Sequence, residues 1–117
     1  MNRQIKFRVW HKKSKEWCGT IGLNETISHN ELEYDTDDLV FVQYTGCHDS
    51  SNKEIYEGDI VQYSNGDVIR IGYIEFMSGI FFLNYNDETD EELGYLLVSN
   101  LKVIGNKFER SELLKTI

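Results

Sequence analysis

The chain has 117 residues, a net charge of −8, 40% apolar and 13% aromatic side chains, two cysteines and no proline. Its length allows one domain with a self-sufficient core, and its composition excludes a disordered chain. So negative a charge argues against a general affinity for nucleic acid or anionic membrane, which both need a positive field, and no segment approaches the roughly 20 apolar residues of a membrane span.

Ile5, Phe7 and Val9 alternate with Lys6 and Arg8, which predicts a strand with one buried and one wet face. Trp10 and Trp17 bracket the polar segment HKKSKE, so a hairpin is expected to bring the two indoles together, with a return strand from Trp17 to Leu23. Asn24 to Asp38 is polar; Ser28 and Glu31 have capping-box spacing, and a loop fits equally well. This stretch divides the chain into an N-terminal hairpin with connector, residues 1–38, and a second unit, residues 39–117.

Leu39 to Thr45 reads as a buried strand and Gly46 to Lys53 as a turn. Gly58 precedes a strand from Asp59 to Tyr63, where only glycine takes the required φ freely. Asn65-Gly66 predicts a tight hairpin into a strand from Val68 to Met77, with Gly72 a bulge or bend. Ser78-Gly79 turns the chain into Ile80 to Tyr85. An acidic loop, Asn86 to Glu92, then leads to strands over Tyr95 to Val98 and Leu101 to Gly105, and residues 109–117 suit a short helical turn. Short strands at close spacing, with no helical period between them, predict a mainly β chain forming a small barrel or roll.

Three stretches taken in order are similar to the YopX family of small bacteriophage and prophage proteins. They are IKFRVW at residues 5–10, FVQYTG with KEIYEGDIV between Phe41 and Val61, and VIGNKFERSELL at residues 103–114. The central stretch is the most specific, and Tyr44, Gly46, Tyr56, Gly58 and Asp59 form its structural motif. The resemblance covers essentially the whole chain. It implies an SH3-like β-barrel preceded by an N-terminal β-hairpin, in a phage or prophage product within a bacterial host, and no catalytic residue. Departures fall mostly at turns: Cys47-His48 replaces a common Leu-Lys, His11 a common Asp, and Lys107 and Ser111 a common Ile and Pro.

No pattern of catalytic residues emerges. Cys47-His48-Asp49 offers three ligand types, but neighbours in sequence rarely reach one tetrahedral ion, and no second pair completes a site. The acidic run from Asp87 to Glu92 lacks the glycine and alternating oxygen ligands of a calcium loop. No nucleophile elbow, phosphate loop or dinucleotide turn is present. The expectation is therefore a non-enzyme without metal or cofactor, with Cys18 and Cys47 as reduced thiols in the cytoplasm. It should act through a protein partner of host or phage, or by forming a homo-oligomer. The candidate surface is the basic N-terminal hairpin: Lys6, Arg8, Lys12, Lys13 and Lys15. Nucleic acid on the same residues is the alternative, disfavoured by the net charge. A carboxylate surface imitating DNA is a third idea, and it requires acid spacing that sequence does not display.

Overall fold

A computed structural model describes residues 5–22, 36–85, 89–96 and 98–115. Nine strands form two antiparallel sheets, with short 3-10 turns and no α-helix among the described residues. The Ser28–Glu31 capping box lies outside the described residues.

The first sheet has the order β2-β1-β3-β4. Strands β1 (Lys6–His11) and β2 (Glu16–Gly22) make the expected hairpin, with Trp10 opposite Trp17. Their rings meet edge to face at 4.9 Å between centroids, an arrangement that suits the indole quadrupoles. The turn is held from within: Lys15 N–H donates to His11 O, and the buried His11 ring accepts from Ser14 N–H at 3.0 Å. Strand β3 (Leu39–His48) lies along the other edge of β1 over Leu39–Gln43, then meets β4 (Glu54–Tyr56) at Tyr44 and His48. The expected boundary after residue 38 therefore falls just before the strand that flanks β1. β3 also runs three residues past its expected end at Thr45.

The second sheet has the order β8-β7-β6-β5-β9. Strand β5 (Asp59–Asn65) turns at Gly66-Asp67 into β6 (Val68–Met77), as the Asn-Gly pair predicts. Ser78 and Gly79, both at positive φ, then lead into β7 (Ile80–Tyr85). Strands β8 (Asp90–Glu92) and β9 (Leu101–Asn106) are the two edges. No ladder joins them among the described residues, so of the expected small barrel or roll the closed barrel is not formed.

Two further expectations are corrected. Gly72 lies in unbroken register with both neighbours and forms no bulge. A Cβ there would come within 2.5 Å of Asn84 O, so close approach of β7 is what demands glycine. Among the described residues of Tyr95 to Val98 there is no strand. The chain makes 3-10 turns at Leu93–Tyr95 and Val98–Asn100 and thereby returns β9 to β5. Leu93 and Leu96, three residues apart, both bury their side chains as that helical spacing allows.

Between the sheets lies a core of Ile55, Val61, Ile74, Leu83 and Leu101, all fully buried. A second cluster, Val42, Tyr44 and Tyr56, is joined by Trp17, Val40 and Phe108. It is this second cluster that positions the candidate site.

Candidate functional site

The central motif is a corner between the sheets. Glu57 N–H still donates to Gln43 O on β3, while Gly58 N–H donates to Ile74 O on β6. Gly58 turns at φ +86°, in the left-handed region. The next residue, Asp59, is buried and accepts Tyr56 N–H on Oδ2 at 2.8 Å. Tyr44 and Tyr56 face each other across β3 and β4 with ring centroids 5.4 Å apart. Gly46, also at positive φ, lies in the irregular stretch between the two β3–β4 contacts. Tyr56, Gly58 and Asp59 thus carry the chain from one sheet to the other, with Tyr44 packed on Tyr56 and Gly46 two residues beyond Tyr44 on β3.

Arg8 is anchored on this corner. Its guanidinium donates to Asp59 Oδ1 at 3.1 Å and stacks 3.8 Å from the Trp17 ring centroid and 4.8 Å from that of Tyr56. Its Nε is buried without a hydrogen-bond partner. Lys6 pairs with Glu54 at 2.5 Å and sits over the Tyr44 ring. The other three basic residues behave differently: Lys12, Lys13 and Lys15 are exposed on the hairpin turn and form no ion pair among the described residues. The five-residue basic surface therefore divides into two cations turned inward and three turned to solvent.

Burial raises the Asp59 carboxyl to about 6, against the lowering effect of Tyr56 N–H and Arg8. Burial and the nearby Glu54 push the Tyr56 phenol up to about 12, which keeps it a donor to Glu54 Oε1. Glu54 is lowered, because Lys6 and Tyr56 outweigh the opposite effect of burial. Beside this corner Phe108 stacks on Trp10 at 5.6 Å and meets Trp17 edge on. Trp17 Nε1 donates to Glu109, whose carboxyl is lowered by Asn106 and Trp17. The closing motif is thus a strap over the tryptophan pair.

Sequence reasoning missed Asp49. It is buried, and its carboxylate accepts Ser51, Lys53 and Val103 N–H groups at 2.8 to 2.9 Å. Burial alone would raise its carboxyl, but these three donors together lower it. The Asp-x-Ser spacing of a side-chain turn was the available signal; the bond to β9 had none. Asp49→Ala is expected to lower stability by about 3 kcal/mol, since it strands the buried Val103 N–H and two partly buried ones. Asp49→Asn should cost about half as much. A urea-melt midpoint unchanged in Asp49→Ala would refute this role. Its neighbour His48 lies against Tyr44. Among the described residues no group of three or more His, Cys, Asp or Glu is placed to share a metal ion.

One surface stands apart from the corner. At the β6–β7 tip Phe76, Met77 and Ile80 are each more than a third exposed. The tip adjoins a groove of about 340 Å³ lined by Thr45, Cys47, Ile80, Phe81, Glu92 and Leu93.

A family model described as YopX protein matches residues 6–115. The fold resembles the crystal structure of protein EF1440 from Enterococcus faecalis, with a TM-score of 0.64 and 23% identity over 94% of this chain and 97% of that one. It also resembles the crystal structure of protein yopX from Bacillus subtilis, with a TM-score of 0.60 and 18% identity over 97% of this chain and 99% of that one. No curated protein matches the chain.

Proposed function

The chain belongs to the YopX family, and from that premise we propose that it is a non-enzymatic, phage- or prophage-encoded module that binds a protein partner in the bacterial cytoplasm. The observation that carries this reading is the apolar tip of the β6–β7 hairpin. Phe76, Met77 and Ile80 lie together at this tip, beside a groove that the other exposed apolar residues, Phe41, Val68 and Ile69, do not line, and such clusters mark contact sites. The order β8-β7-β6-β5-β9, with 3-10 turns before a last strand paired to the first, is compatible with an SH3-like roll. That fold commonly recognises peptides, though fold alone does not fix function.

The inward pairing of Lys6 with Glu54 and Arg8 with Asp59 supports protein binding over nucleic-acid binding. Of the five basic hairpin residues, only Lys12, Lys13 and Lys15 remain for a phosphate track, on a chain of net charge −8. The test is retention of host or phage proteins from lysate on the tagged protein, with and without nuclease. Proteins retained after nuclease treatment support the module; recovery lost with nuclease overturns it. In parallel, Lys12→Glu, Lys13→Glu and Lys15→Glu together should leave DNA retention in low salt unchanged from its baseline. A fall of tenfold or more would restore the nucleic-acid alternative.

A further inference from the structure

We propose that the groove beside the β6–β7 tip receives a peptide segment in which an apolar residue is flanked by lysine or arginine; this rests on the protein-binding reading above and gives it a site. The groove has an apolar floor, made by Phe81 and Leu93, both buried, and an apolar lip, Ile80. Its volume of about 340 Å³ lies at the lower end of ligand pockets. Phe76 packs on Phe81 at 4.6 Å between centroids and extends the apolar surface outward from the floor.

The rim supplies the sign. Glu92 lines the groove, and Asp90 and Glu91 precede it on β8. Arg70 approaches Glu91 at 3.8 Å, a contact both residues make while partly exposed. Glu92 forms no ion pair among the described residues. A basic flank on the bound segment meets this rim, and its apolar residue meets Phe81 and Leu93. Such a division of labour lets apolar contact supply affinity and charge select the partner. Strand β8 pairs with β7 only from Phe82 to Asn84, so Ile80 has no ladder partner on that side among the described residues. An extended segment is therefore the form that fits. A second copy of this chain, whose exposed lysines are Lys12, Lys13, Lys15, Lys53, Lys102 and Lys107, is the competing occupant that the test distinguishes.

The probe is an acetylated, amidated pentapeptide, Lys-Val-Leu-Val-Lys, titrated into labelled protein and followed by amide chemical shifts. Saturable shifts are expected at Cys47, Gly79, Ile80 and Gly94. Glu-Val-Leu-Val-Glu should bind about tenfold more weakly, as should Lys-Val-Leu-Val-Lys to Glu92→Lys; Ile80→Ser should weaken both peptides. No shifts at these amides, or equal binding of the two peptides, would overturn the proposal. So would sedimentation showing a dimer that Ile80→Ser dissociates, because the occupant would then be a second copy. Proteins still retained from lysate by a folded Ile80→Ser, Glu92→Lys variant would sink this site and leave the protein-binding reading standing; no retention by the unaltered protein would sink that reading itself.

Discussion

Replacing Gly58 by valine is expected to lower the free energy of unfolding by about 4 kcal/mol, enough to unfold a marginal domain. Two causes add. The φ of +86° puts any L side chain in the left-handed region, which costs roughly 1–2 kcal/mol and more for a branched residue. A Cβ would also stand 3.1 Å from the Phe108 ring, so the strap that covers Trp10 and Trp17 must shift. Nor can the backbone relax freely. Gly58 N–H donates to Ile74 O at 2.8 Å, and Gly58 O accepts Lys107 N–H at 2.9 Å, so a corrected φ breaks bonds to β6 and to the turn after β9. Gly58→Ala separates the causes, keeping the φ cost and only the first contact; about half the loss is expected. A Gly58→Val protein whose urea-melt free energy stays within 1 kcal/mol of the parent would contradict this account of the corner.

Gly58 was legible because the demand on it is local: a turn immediately before a strand pattern. The same holds for Trp10 and Trp17, for Asn65-Gly66 and for the β6 and β7 boundaries, where the period of two and the turn residues agree. Gly72 was misread because its reason lies on another strand; nothing near residue 72 in sequence announces Asn84 O. Tyr95 to Val98 has strand-like side chains, yet the need to carry the chain back to β5 overrides that preference. The candidate site divides in the same way. Lys12, Lys13 and Lys15 are exposed as a polar turn predicts, whereas Lys6 and Arg8 find acids 48 and 51 residues away. Alternation told that they share a face, and only β4 and β5, far along the chain, determined that the face is covered.

Loss of Arg8 brings the other large effect. Arg8→Met keeps an apolar stem against Trp17 and Tyr56 but leaves the Asp59 carboxylate buried without its cation. Breaking such a pair typically costs 3–5 kcal/mol, and about 3 kcal/mol is expected here at pH 7, since Arg8 is partly exposed. The pH dependence identifies the cause. In the parent, Asp59 titrates at about 6 when folded and near 3.9 when unfolded. Between those values the folded state holds a proton that the unfolded chain has released. Its contribution is therefore fully present below about pH 4 and lost as pH rises through about 6. Asp49, Glu54 and Glu109 act in the opposite sense, because their folded values are lowered: their contribution is present above about pH 4 and lost in stronger acid. Stability should thus peak in the mildly acidic range. Relief of charge repulsion toward the pI of about 4.8 favours the same range, so the parent curve alone does not separate the two. Asp59→Asn does: it keeps nearly all the net charge and should flatten the rise between pH 6 and 4. In Arg8→Met the carboxyl moves higher still, so lowering pH from 7 to 5 should restore part of the lost stability. Adding Asp59→Asn to Arg8→Met should recover most of it at pH 7, with a coupling well above 1 kcal/mol in the double-mutant cycle. Additive losses in that cycle, or a rise between pH 6 and 4 undiminished in Asp59→Asn, would mean the corner is held by the Tyr44, Tyr56 and Trp17 packing and not by the buried pair.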